Sequence, residues 1–205
     1  MTAREGNGFA MRARELAVDG AFEFTPRVFG DDRGLFVSPF QEPVFAETLG
    51  RPLFPVRQTS YSKSRRGTVR GIHYTATPPG AHKYVCCVQG KALDIVVDIR
   101  VGSPTFGRYE VLELDAENFR SAYFPVGVGH AFVARTDDTM MSYTLSASYV
   151  PENELAIAVL DPELALPIPD DLDPILSERD RAAPSLAEAK SAGLLPEYEC
   201  CTEIE

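Results

Sequence analysis

The feature that most constrains how this chain can fold is the shortness of its apolar runs and the regularity with which turns cut them. Phe22 to Phe29, Leu35 to Phe40, Val69 to Thr75, Tyr84 to Val88, Ala92 to Ile99, Arg108 to Leu114, Ser121 to Phe124, His130 to Ala134 and Thr139 to Ser146 are rich in β-branched or aromatic residues. Between them lie Asp32-Arg33-Gly34, Pro78-Pro79-Gly80, Gln89-Gly90, Gly102-Ser103-Pro104, Ala116-Glu117-Asn118, Val126-Gly127 and Asp137-Asp138, all chemistry of tight turns. Many short strands at close spacing predict an all-β fold, a jelly-roll-like sandwich or barrel. Only Glu42 to Leu49 and Ser185 to Ala192, ended by Gly193, read as helix, so helices are few, short and peripheral. Asp161 to Pro174, rich in Pro and Asp, reads as an irregular segment wrapping the barrel. The expected division is a poorly ordered N-terminal extension over 1–15, one β domain over 16–183, and a C-terminal helix and tail over 184–205; 205 residues suffice for one substantial core.

Periodicity assigns faces. In Ala92 to Ile99 both faces carry apolar groups, as expected of a central strand covered on each side. Asp94 and Asp98 share one face, where they serve either as cavity groups or as turn-capping partners of arginines. Alternation in the next strand of interest puts Val69, Gly71, His73 and Thr75 on one side and Arg70, Ile72 and Tyr74 on the other. Arg70 and His73 can serve one pocket only if the strand bulges at Gly71.

Charge narrows the partners. Lys and Arg total 20 against 30 Asp and Glu, so the protein as a whole repels nucleic acid and anionic membranes, and an anionic ligand needs a local basic cluster. Lys63, Arg65, Arg66 and Arg70 provide one; Lys63 to Arg66 fit a solvated loop as well as a phosphate site, whereas Arg70 lies inside an apolar run. The cysteines form two adjacent pairs, Cys86-Cys87 and Cys200-Cys201, which match neither a zinc spacing nor a secreted disulfide framework; Cys86 and Cys87 read as small strand residues facing opposite sides. Met1 to Leu16 holds no apolar run of signal-peptide length and no other segment is long enough to span a bilayer, so the expected location is cytoplasmic.

Three histidines are present. His73 follows Val69-Arg70-Gly71-Ile72, His82 adjoins Lys83, and His130 closes Pro125-Val126-Gly127-Val128-Gly129-His130. Proton-transfer groups beside a cation, with a Pro-x-Gly-x-x-His turn between β runs, point to proton transfer inside a β-barrel. A jelly roll with that turn resembles the cupin superfamily, whose usual members bind metal through a His-x-His pair, a Glu and a later His. Here His73-Tyr74-Thr75 stands where the pair would fall, with no second histidine, so the expectation is a cupin without metal or other cofactor.

The resemblance then becomes specific. Asp32-Arg33-Gly34-Leu35-Phe36, Val69-Arg70-Gly71-Ile72-His73-Tyr74, Asp98-Ile99-Arg100, Gly102-Ser103-Pro104-Thr105-Phe106-Gly107, Pro125 to Phe132 and Pro174-Ile175-Leu176-Ser177-Glu178-Arg179-Asp180 occur in this order. The chain resembles the dTDP-4-dehydrorhamnose 3,5-epimerase family, RmlC-like, over roughly Leu16 to Leu195, and is most similar to its members from antibiotic deoxysugar pathways.

That resemblance implies a dTDP-4-keto-6-deoxyhexose substrate, in which the C4 ketone acidifies the protons on C3 and C5, and inversion of C5, alone or with C3. It implies His73 as base, Asp161 as the aspartate paired with it, Lys83 as the cation facing the enolate oxygen, and Tyr143 as the acid on the opposite face. His130 would line the pocket; Arg33, Phe36, Gln58 and Arg70 would hold the nucleotide and its diphosphate; Tyr149 would contact sugar or base. Ser60, Thr75 and Ser38 stand where the family usually has Asn, Gln and Glu, and Ser60 is a substrate-side position for that reason. The family also implies a homodimer that exchanges an N-terminal strand. The competing readings are a C3-only epimerase, a metal-dependent cupin enzyme and a catalytically silent sugar-binding cupin.

Overall fold

A computed structural model describes residues 11–204. Residues 1–10 of the expected N-terminal extension lie outside the described residues; its end, Arg12–Glu15, forms β1 and pairs with β2 (Phe22–Thr25) of the same chain. The remaining strands are β3 (Val28–Asp31), β4 (Gly34–Val37), β5 (Gln58–Ser64), β6 (Val69–Thr75), β7 (Lys83–Gln89), β8 (Lys91–Val97), β9 (Tyr109–Asp115), β10 (Ser121–Phe124), β11 (Gly129–Ala134), β12 (Thr139–Leu145) and β13 (Glu154–Ala156). They form an antiparallel sandwich of a six-stranded sheet, ordered β1-β2-β10-β7-β12-β5, and a five-stranded sheet, ordered β13-β6-β11-β8-β9; β3 and β4 stand apart as a hairpin. The all-β jelly-roll expectation holds, with four short α-helices among the described residues.

The two faces of each sheet account for three apolar clusters. Between the sheets lie Val85 and Cys87 from β7, Val96 from β8, Leu112 and Leu114 from β9, Phe124 from β10, Phe132 from β11 and Met141 from β12. The alternate residues of β8 and β11, Ile95, Val97, Ala131 and Val133, face outward and are covered by Ile157, Val159, Leu164, Leu166 and Leu172 of the C-terminal segment, which is why β8 reads as apolar on both sides. Outside the six-stranded sheet, helix α1 (Glu42–Leu49) lays Val44 and Phe45 on Phe24, Tyr84 and Tyr123, with ring centroids of Phe24 and Phe45 5.6 Å apart. Each such buried side chain contributes roughly 1.5–3 kcal/mol.

The C-terminal segment is pinned by short helices, α2 (Glu178–Arg181), α3 (Leu186–Ser191) and α4 (Tyr198–Ile204). Ser185 and Glu188 form a capping box on α3, as the sequence Ser-x-x-Glu predicts. Asp161 is committed here: its Oδ1 accepts from Glu163 N–H at 2.9 Å and its Oδ2 from the first N–H of α3, Leu186, at 2.8 Å.

One cavity-side strand escapes a reading by apolar pattern, and another departs from regular pairing. β5, Gln58-Thr59-Ser60-Tyr61-Ser62-Lys63-Ser64, is the edge of the larger sheet and carries hydroxyls and an amide on its inward face, so Lys63 belongs to a strand and not to a loop. β6 holds the bulge required of it. His73 stands opposite His130 and Arg70 opposite Phe132, leaving Gly71 and Ile72 to face Ala131 alone. Gly71 has φ of 121°, and a Cβ there would lie 2.5 Å from the His130 carbonyl oxygen, so no larger residue fits.

Candidate active site

The bulge brings Arg70 and His73 to one cavity of about 160 Å³. Both sheets contribute to its wall: His73 and Thr75 from β6, His130 from β11, Lys83 from β7 and Tyr143 from β12, with Tyr149 and Glu154 at the mouth. Convergence of a histidine, a lysine and a tyrosine on one cavity is the arrangement a two-faced proton transfer needs.

His73 is half-buried and its Nε2 lies 2.6 Å from Asp180 Oδ1. Asp180 is the third residue of α2, where its N–H donates to the Ser177 cap at 3.1 Å. Burial alone would raise the Asp180 pKa; hydrogen bonds from His73, Ser177 and the Gly71 N–H, with the charge of His73, outweigh it and hold the carboxyl below the usual range. An ionised Asp180 therefore backs His73 and fixes which ring nitrogen faces the cavity. Asp161, expected in this role, is not there, because both its oxygens are spent on the backbone N–H groups of Glu163 and Leu186. Asp180 lies 107 residues from His73 in the chain, and only its place in the Ser177-Glu178-Arg179-Asp180 motif singled it out.

Lys83 points its ammonium at the His73 carbonyl, 3.4 Å away. Burial lowers its pKa, and Glu154 and Asp94 oppose that loss of charge. Tyr143 Oη lies 3.0 Å from Ser62 Oγ, and its ring sits edge-on to His130 at 6.2 Å. Burial pushes the phenol pKa well above the ordinary tyrosine value, so Tyr143 stays protonated. His130 lines the wall, but its Nε2 is taken by the fully buried Asp94 at 2.6 Å.

Gln58, Ser60 and Tyr149 meet at the mouth: Tyr149 N–H donates to Gln58 Oε1 at 2.8 Å, and Gln58 Nε2 donates to Ser60 Oγ at 2.9 Å. Thr75 donates to Glu154 Oε1 at 3.1 Å, a pair that sequence reasoning did not anticipate. A second groove of about 490 Å³ shares Arg70 and His73 with the cavity and adds Lys63, Arg65 and Arg179, a cluster of cations in an acidic protein. Of the basic cluster, Arg66 turns away to Asp171.

Like Asp161, three further residues lie or point away from the cavity. Arg33 and Phe36 sit on the β3–β4 hairpin, Arg33 paired with Asp31 and Phe36 67 % exposed. His82 points into the α1 side of the sheet, where its Nδ1 lies 2.9 Å from Tyr123 Oη and its ring stacks on Phe54. Burial, aided by the charge of Arg51, lowers its pKa to about 4, so it is a neutral packing group.

Residues 15–188 match the sequence profile of the dTDP-4-dehydrorhamnose 3,5-epimerase family. The dTDP-4-dehydrorhamnose 3,5-epimerase of Mycolicibacterium smegmatis is 47% identical over 93% of this chain and 94% of its own. The dTDP-4-dehydro-6-deoxyglucose 3-epimerase of Streptomyces bikiniensis is 45% identical over 92% and 95%. Among solved structures, the 4-keto-6-deoxy sugar epimerase from the novobiocin cluster of Streptomyces spheroides superposes with a TM-score of 0.90 at 45% identity, covering 98% of each chain.

Proposed function

Because the chain belongs to the dTDP-4-dehydrorhamnose 3,5-epimerase family and is an epimerase, we propose that it inverts C5 of a dTDP-4-keto-6-deoxyhexose, together with C3, in deoxysugar biosynthesis. The observation that carries this reading is His73, backed by Asp180, on one wall of a cavity whose other sheet contributes Tyr143 and Lys83. The relatives' names support both positions, since that of Mycolicibacterium smegmatis includes 3 and 5. Inversion at C3 alone is the second reading, favoured by the name of the 45% identical Streptomyces bikiniensis enzyme.

In this mechanism His73 takes the proton from the carbon next to the ketone, and Asp180 stabilises the imidazolium that results. The electron pair moves onto the C4 oxygen, where the Lys83 ammonium opposes the negative charge in a site of low dielectric. Tyr143 then delivers a proton to the other face of the same carbon, and inversion follows. Protons and charge balance without change of oxidation state. The groove lined by Lys63, Arg65, Arg70 and Arg179 suits the diphosphate, since arginine forks match phosphate oxygens. Gln58, Ser60 and Tyr149 are the proposed contacts at the nucleotide end.

We place Arg33 and Phe36 in the same reading through a homodimer: an exposed hairpin with Phe29, Leu35 and Phe36 uncovered suits a second copy better than solvent. A cytoplasmic location is part of the proposal; among the described residues no helix is long and apolar enough to cross a membrane.

The test is incubation with a dTDP-4-keto-6-deoxyhexose in deuterated water and location of the label by NMR. Deuterium at C5 and C3 with inverted configuration is the expected result; label at C3 alone selects the second reading, and no label on any such sugar sinks the assignment. Activity is expected to survive exhaustive chelation, because the Nε2 atoms of His73 and His130 are both committed to carboxylates.

A further inference from the structure

Tyr143 has one hydrogen-bond partner among the described residues, the Ser62 hydroxyl, 3.0 Å away, and either oxygen can donate. Arg70, Asp94 and Cys87 act on it through their charges, with no hydrogen bond to it among the described residues. Its ring packs on the inter-sheet core and against His130, whose bonded nitrogen belongs to Asp94. A phenol in that position can give its proton to the sugar once; it then stands as a phenolate that burial disfavours. On the cavity side the bound sugar itself would cover it. While the sugar stays bound, the hydrogen-bonded route for a second proton runs through Ser62.

Ser62 is placed for that. It lies on β5, the edge strand of the six-stranded sheet, in a register that sets Ser60 opposite Tyr143 and Ser62 opposite Met141. The inward face of β5 carries Gln58, Ser60, Ser62 and Ser64 in alternation with the exposed Thr59, Tyr61 and Lys63, and Ser62 keeps part of its surface in solvent. The stripe is polar from end to end: Gln58 bonds Ser60, Ser62 meets Tyr143, and Ser64 accepts from Arg70 Nε at 3.2 Å. A central strand would fill such positions with apolar side chains; an unbroken row of small hydroxyls on an edge strand gives up packing energy.

Resting on the epimerase reading above, we propose that Ser62 is a positioning residue that aims the Tyr143 hydroxyl and returns its proton from solvent through the edge strand. The step is a transfer of one proton from the Ser62 hydroxyl to the phenolate oxygen, with the serine taking one from water in the same event. The Tyr143 O–H bond reforms as the Ser62 O–H bond breaks, and a water O–H bond breaks as the serine's is restored; the hydroxide left is neutralised by the proton that His73 releases to solvent. Nothing is oxidised or reduced.

The relay separates the first turnover from later ones. In Ser62→Ala the resting enzyme still carries a protonated Tyr143, so the first inversion, followed by rapid quench with one equivalent of enzyme, is expected within about twofold of wild type. Steady-state inversion is expected to fall about tenfold, giving a burst that wild type lacks. Ser62→Thr keeps the hydroxyl on a residue at home in a strand and is expected to restore the later turnovers. The proposal is overturned if Ser62→Ala shows no burst and wild-type steady-state rates, or if first and later turnovers fall together and Ser62→Thr does not rescue them, which is the behaviour of a purely structural serine. A wild-type enzyme that neither exchanges nor inverts any dTDP-4-keto-6-deoxyhexose would instead overturn the epimerase reading, and this inference with it.

Discussion

Two histidine–aspartate pairs have the same separation, 2.6 Å, and their histidines stand opposite each other on neighbouring strands, yet their surroundings differ. In one, the His73 side chain is 31 % exposed and Asp180 is 3 % exposed; in the other, His130 is 6 % and Asp94 0 % exposed. Hydrogen-bond distance therefore says nothing about which histidine does chemistry. Access differs: His73 lines both the cavity and the basic groove, while His130 lines the cavity alone and has its bonded nitrogen on the buried Asp94. The carboxylates differ likewise. Asp180 is held by a helix cap, a backbone N–H and its histidine, whereas Asp94 Oδ2 is buried without a partner among the described residues. In the proposed reaction the first pair carries charge briefly and the second stays fixed.

The contrast is broken most directly at His73. His73→Ala is expected to lower both deuterium exchange and inversion about a thousandfold, within the range for a positioned base, with dTDP affinity by calorimetry little changed. Residual exchange near wild type would remove His73 from the reaction. Tyr143→Phe keeps the ring volume and should lower inversion about a hundredfold while exchange at His73 survives, so that label enters with retained configuration; a proportional fall of both would mean another donor.

Exchanging the two carboxylates sharpens the comparison further. Asp180→Asn is expected to reduce inversion about thirtyfold with an unfolding midpoint close to wild type. Asp94→Asn should behave the other way, with about 2 kcal/mol less stability in denaturant titration and a rate per folded molecule within about threefold. Reversal of that pattern would show that the buried pair is the working one.

Smaller effects appear in pH. Burial lowers the Lys83 pKa, so the alkaline limb of the rate profile should fall below the ordinary lysine value of 10.5. His82 tests stability. Its folded pKa of about 4 lies below the ordinary 6.5, so the unfolded chain binds the proton first; the contribution is complete above pH 6.5 and is lost as pH falls toward 4. The loss is about 3 kcal/mol, and a His82→Gln variant should show a flatter dependence.

What was legible in the sequence follows from where apolar pattern exists. The strands from β6 to β12 were evident because they alternate or run apolar between turn residues, and even the bulge at Gly71 was required by two polar residues on opposite parities. β5 was not, since an edge strand that lines a polar cavity has no apolar face to show; β1, Arg-Ala-Arg-Glu, is an edge strand of the charged kind. His73, Lys83, Tyr143 and His130 meet in one cavity, but the carboxylate behind His73 was misassigned. Asp161 and Asp180 are both buried aspartates of the C-terminal wrap, and only the docking of α2 against β6 separates their tasks. The exposure of Arg33 and Phe36 was equally beyond reach, because a hairpin that leaves its own sandwich looks in sequence like any other pair of strands.

Gly71 ties the two histidine pairs to each other. Its N–H helps hold the Asp180 carboxylate, and the space where its side chain would be is filled by the His130 carbonyl and Ala131. A single methyl group there would press on one pair and tilt the other in the same displacement. A substitution at Gly71 therefore reaches both pairs at once, and neither can be repacked at this point of β6 and β11 independently of the other.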